Sequence, residues 1–137
     1  MEILTFIKVY LVTVSVFFLI DLFWLGIIAK ELYSRYIGNL LLPSPNWIAA
    51  IAFYLIFIVG LVIFAIYPAL KDHSWTYALL YGAMFGFFTY MTYDLTNLAV
   101  LKDWSWQITL IDIAWGTFLA GSVSIISYTI SSKFLGL

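Results

Sequence analysis

Three aspartates stand inside otherwise apolar stretches of this chain: Asp21 in "DLFW", Asp94 in "YMTYDLTNLAVL" and Asp112 in "DIAW". A carboxylate placed in hydrocarbon has to be neutralised by a proton, matched by a cation or wetted by a cavity. The chemistry open to such a group is therefore proton holding, acid/base catalysis or cation binding. No lysine or arginine shares their depth: Lys30 and Lys102 lie about two turns away, where their long stems let the ammonium reach the interface. Other groups stand close by. Asp-x-x-Trp occurs twice, putting Trp24 and Trp115 one turn from their aspartates. At 100° per residue, Tyr90, Tyr93 and Asn97 share an arc of about 100° with Asp94, a single polar stripe bordered by the small residues Gly82 and Gly86. Small residues at that spacing admit a neighbouring helix, so the stripe is expected to face protein.

The elements that position these residues follow from composition. Of 137 residues, 65% are hydrophobic and 9% charged, which marks an integral membrane protein. Apolar windows of about 20 residues, the length that crosses a bilayer, place spans at approximately 3–29, 47–67, 75–101 and 107–131. Prolines at 45 and 68 bracket the second. Lipid offers no partner to a free amide, so each span is expected to be a helix, and the mostly short connections give an all-α, antiparallel four-helix transmembrane bundle forming one domain over 1–137. Trp47, Trp75, Trp104 and Trp106 fall near span ends, where indoles favour the water boundary. Residues 30–46 carry apolar positions at helical spacing and suggest a short interfacial helix, with an ordered loop as the alternative.

Counting rise along these spans brings the three aspartates to one level, ~9 to 12 Å from the side opposite the termini. That side is called B here, and the side of the termini A. Positive charges divide equally, Lys8, Lys71 and Lys133 on A against Lys30, Arg35 and Lys102 on B, so orientation stays open.

Several functions are excluded or disfavoured. Without cysteine there is no disulfide, thiolate nucleophile or cysteine-bound metal. A net charge of -1 without a basic tail argues against nucleic acid. The chain has no HExxH, nucleotide loop or GxSxG elbow, and its single histidine, His73, falls in a short side A loop. No cofactor and no metal are expected. Partners are to be sought in the bilayer, as a membrane lipid or an amphipathic small molecule.

Three readings stay open. Asp21, Asp94 and Asp112 serve as proton-binding carboxylates of an enzyme, or enzyme subunit, acting on an acyl or isoprenoid lipid, with Trp24, Tyr90, Tyr93, Asn97 and Trp115 around the substrate. Alternatively they couple protons or cations to a small-molecule carrier, a reading for which side A shows no polar path and whose four-helix size suggests a homodimer. Or they only join the helices, at ~0.6 to 2 kcal/mol per interhelical hydrogen bond.

In this order, "DLFWLG", "GNLLLPSPNW", "GLVIFAIYPAL", "TYDLTNLA" and "DIAWGT" resemble the DUF2177 family of small bacterial membrane proteins along nearly the whole chain. The resemblance implies four transmembrane helices, a multi-pass position in the bacterial inner membrane and no established activity. Its motif positions include Asp21, Trp24, Tyr93, Asp94, Asn97, Asp112 and Trp115, and they add Thr117 to the candidate site.

Overall fold

A computed structural model describes residues 2–137. Four long helices account for nearly all of them: α1 (Ile3–Leu40), α2 (Trp47–Lys71), α3 (Trp75–Val100) and α4 (Trp106–Phe134). Short links at 41–46, 72–74 and 101–105 join them, so successive helices run antiparallel. The turns carry their own stop and start signals. Asn46, Ser74 and Ser105 each accept a hydrogen bond from the amide three residues on, at 3.2, 3.1 and 3.1 Å, satisfying donors that a helix start leaves free. His73 and Asp103 hold left-handed backbone, φ 50° and 64°, where the chain reverses.

The chain is an all-α membrane protein. By length and apolar content α1, α2 and α4 qualify as membrane spans. α3 is as long, but its tyrosines, threonines and glycines dilute its apolar character.

Two helices run further than sequence patterning suggests, each by way of a wider turn. α1 does not end at residue 29. It passes through a π-helical stretch, Trp24–Ala29, into a further α segment, Lys30–Ile37, and closes with a 3-10 turn at Gly38–Leu40. The helix expected between the first two spans is thus present as a continuation of the first, with Ala29 and Ile37 buried at 2% and 3% exposure. In α2, Pro68 lies inside the helix, which continues to Lys71. Proline has no N–H to give the preceding turn and its ring crowds the carbonyl four residues back, and the π-helical turn Val62–Ile66 stands where that mismatch falls.

Helices α3 and α4 form the tightest pair, and α1 packs chiefly on α4. A Cβ on Gly86 would run into the Gly116 carbonyl and Ala120, and one on Gly116 would run into the Tyr90 ring. The two backbones touch because these positions have no side chain. α2 behaves differently along its length. Its second half, from Val62 onward, packs into α3 and α4, while Trp47–Leu61 contacts α1 and stands off from α3 and α4. The core accordingly lies towards side A, around Val9, Leu61, Ile66, Leu119 and Val123, with Phe17, Phe57 and Ile58 at its upper edge.

Candidate functional site

Where α2 stands off, a cavity of about 530 Å³ remains between it and the α3–α4 pair. Ala49 and Ala50 give it room on α2, Phe53 and Phe57 wall one side, Thr89, Tyr90 and Tyr93 the other, and Asp112 reaches it from α4. Its rim is accessible from the lipid side, where Phe53 is 49% and Tyr93 58% exposed. The walls brace one another: Phe57 meets Phe53 at 5.6 Å and Tyr90 edge-on at 6.2 Å, and Tyr93 packs edge-on against Trp104 at 5.9 Å. Trp104 is in turn fixed by donating its indole N–H to Thr109 Oγ1 at 3.0 Å.

The aspartates divide into a pair and an outlier. Asp94 and Asp112 lie beside each other across the α3–α4 seam, at 0% and 8% exposure. Neither oxygen of Asp94 has a hydrogen-bond partner, and the Asp112 carboxyl stands beside it. Asp112 accepts a hydrogen bond from the Tyr33 hydroxyl. Asp21, 4% exposed, has the Tyr54 hydroxyl and the Trp115 indole as its nearest groups, with Asp112 further off. Trp115 Nε1 is buried and points towards Asp21 without closing a hydrogen bond.

Trp24 and Trp115 stack face to face, ring centroids 4.3 Å apart and planes within 9°. Each lies one turn beyond its own aspartate, and α1 and α4 run in opposite directions. The stack ties α1 to α4 one turn from both carboxylates. The described residues form no metal-binding cluster of three acidic or histidine side chains.

A family model described as "Predicted membrane protein (DUF2177)" matches residues 6–129. The chain belongs to this family. No curated protein and no solved structure matches it. The DUF2177 match takes in all four helices, and every candidate side chain lies within it.

Of the candidates named from sequence, Asp112, Tyr90 and Tyr93 line the cavity and Asp94 lies beside Asp112, whereas Trp24 and Trp115 line a second cavity between α1 and α4 with Phe23 and Phe118, and Asp21 lines neither. Asn97 is half-buried near Tyr93, one turn further along α3. Thr117 is not brought in: its hydroxyl returns to the Ile113 carbonyl of its own helix at 2.8 Å.

Two tyrosines of this DUF2177 protein escaped sequence reasoning. Tyr54 sits on α2, whose apolar run gave no sign of a polar face. Tyr33 is twelve residues beyond Asp21, about 120° away round an uninterrupted α-helix. A π turn takes an extra residue, about 100° of rotation, and the π-helical stretch Trp24–Ala29 intervenes. That rotation brings Tyr33 back to the face that carries Asp21. The signal available beforehand was the tyrosine itself, amphipathic and one helix turn from Ile37 in an otherwise charged segment.

Proposed function

We propose that this membrane protein is an enzyme, or the membrane subunit of one, acting by acid/base chemistry on an acyl or isoprenoid lipid of the bacterial cytoplasmic membrane. The observation that carries the reading is the Asp94–Asp112 pair at the inner end of a side-opening, aromatic-walled cavity. A lipid arriving along the leaflet would lay its chain on Phe53 and Phe57 and bring its reacting atoms to Asp112.

Two adjacent carboxyls in low dielectric share a proton rather than both ionise. In this reading the Tyr33 hydroxyl, which donates to Asp112, would favour a carboxylate acceptor there, leaving the shared proton on Asp94. Asp94 does not line the cavity, so its proton would reach a substrate through Asp112, which serves as base before protonation and as acid after it. The Trp24–Trp115 stack would hold Asp112's helix against α1.

The test is whole-cell lipid mass spectrometry on a deletion strain restored with wild type or with Asp94→Asn. Wild type is expected to restore a lipid change that the folded variant reduces by roughly 10²–10⁴-fold, the usual contribution of a positioned acid/base group. An unchanged lipid profile in all three strains would overturn the reading.

One observation favours a proton-coupled carrier. Ser124, Ser127 and Ser131 are fully buried on the side A half of α4 and their hydroxyls have no partner, a polar row that sequence patterning did not register. The inward residues between that row and Asp112 are Gly116, Leu119, Ala120, Gly121 and Val123, none with a polar side chain, which breaks the path. PH-gradient-driven uptake into proteoliposomes, with no lipid change in cells, would favour the carrier.

A further inference from the structure

The cavity's charge balance narrows what can occupy it. Its lining contains one carboxyl, Asp112, and no lysine, arginine or histidine. Nor is a basic group held in reserve nearby among the described residues. Lys30 and Lys102 are exposed, and Arg35 is turned outward to Glu31 at 3.7 Å. Beside Asp112 stands a second carboxyl, Asp94, at 0% exposure and without a hydrogen-bond partner on either oxygen.

Each class of lipid head meets this arrangement differently. A phosphate or carboxylate head would be driven against like charge in a medium that screens poorly. A neutral hydroxyl could accept or donate one hydrogen bond and would leave the pair's charge as it was. An ammonium gains a charge-assisted hydrogen bond to Asp112. It also meets the faces of aromatic rings, since Phe53, Phe57, Tyr90 and Tyr93 make up half of the lining and ring faces attract cations. The cavity's volume of about 530 Å³ is that of a small-molecule pocket rather than a gap between helices.

We infer that this cavity binds the head of a cationic amphiphile, a membrane lipid carrying a protonated amine, with the nitrogen against Asp112 and the chain leaving between Phe53 and Tyr93. The inference rests on the reading that a membrane amphiphile enters here. It adds the class of head that the site selects.

The experiment titrates the full-length protein, in neutral detergent at pH 7, with hexadecylamine and separately with hexadecanol, following bound ligand by native mass spectrometry. Hexadecylamine is expected to bind about tenfold or more tightly than the alcohol, the worth of one additional charge-assisted contact. That preference should disappear in Asp112→Asn and binding of both ligands should fall in Ala50→Trp, which fills the cavity from α2 without touching a carboxyl. Glu31→Gln, on the exposed surface, should bind as wild type does. Equal binding of amine and alcohol, an amine preference that survives Asp112→Asn, or undiminished amine binding in Ala50→Trp would overturn the inference. If Asp112→Asn does not fold, Ala50→Trp decides alone.

The lipid measurement separates the two proposals. A lipid change lost in Asp94→Asn, without amine preference in the titration, leaves the acid/base reading standing and removes the ammonium head. Amine preference without any lipid change keeps the ammonium site and removes the chemistry.

Discussion

In the half of the bundle nearer the termini, α3 and α4 meet through Gly82, Gly86, Gly116 and Ala120, and α2 packs onto both from Val62 onward. In the other half, α2 leaves α3 and α4 to a cavity, and the groups facing that space are carboxyls and aromatic rings. Both halves belong to the same four helices. What differs is the size of residue at the seam. Small residues let backbones close, whereas Phe53, Phe57 and Tyr90 meet ring to ring between α2 and α3 and hold those backbones apart. Close packing and open space are separated along the helix axis: the glycine seam positions α4, and α4 carries Asp112 into the wider half.

This separation can be broken at either end. The largest effect on stability is expected from Gly86→Leu, which forces a side chain into the Gly116 carbonyl and Ala120. A loss of about 3 kcal/mol or more, at the upper end for overpacking, should appear as lost monodispersity in detergent and a lowered thermal midpoint. If Gly86→Leu is tolerated, the seam is not what holds the two helices.

A smaller effect, seen in function rather than folding, is expected from Tyr33→Phe. It removes the hydroxyl that donates to Asp112 while keeping the ring. A hydrogen bond to a charged group is worth about 1.5–3 kcal/mol, so the lipid change should fall by roughly ten- to a hundredfold, with the protein still folded and its thermal midpoint lowered by less than in Gly86→Leu. A variant matching wild type in lipid output would show that Tyr33 only packs.

The smallest cost to stability is expected from Ala50→Trp. It adds more bulk than Gly86→Leu, yet it enters open space, and a loss below about 1 kcal/mol in thermal or denaturant unfolding is the expected outcome. A loss as large as that of Gly86→Leu would mean that the wider half is packed after all.

How much of this was legible beforehand depends on the residue. Asp94 and Asp112 could be brought near each other from sequence because rise per residue is constant, and a buried carboxylate must find protein. The polar face of α3 was legible for the same reason, as angles add along a regular helix. Tyr33 was not, because the π-helical stretch of α1 shifts the register at the point where the count passes through it. Nor was the meeting of Trp24 and Trp115 ring to ring, a contact between residues that chain order keeps far apart.

The sequence by itself determined a membrane protein of four helices, with three aspartates towards one side and a small-residue face on α3. Hydropathy and helical period are local quantities, and a bilayer leaves the backbone no other structure to adopt. The packed bundle alone established that the α2 backbone parts from α3 and α4 over Trp47–Leu61 while staying on α1, that Asp94 pairs with Asp112, and that Tyr33 turns inward to join them. Those outcomes depend on which side chains can interdigitate across different helices, and that is settled by shape once the helices meet, not by the order of residues along any one of them.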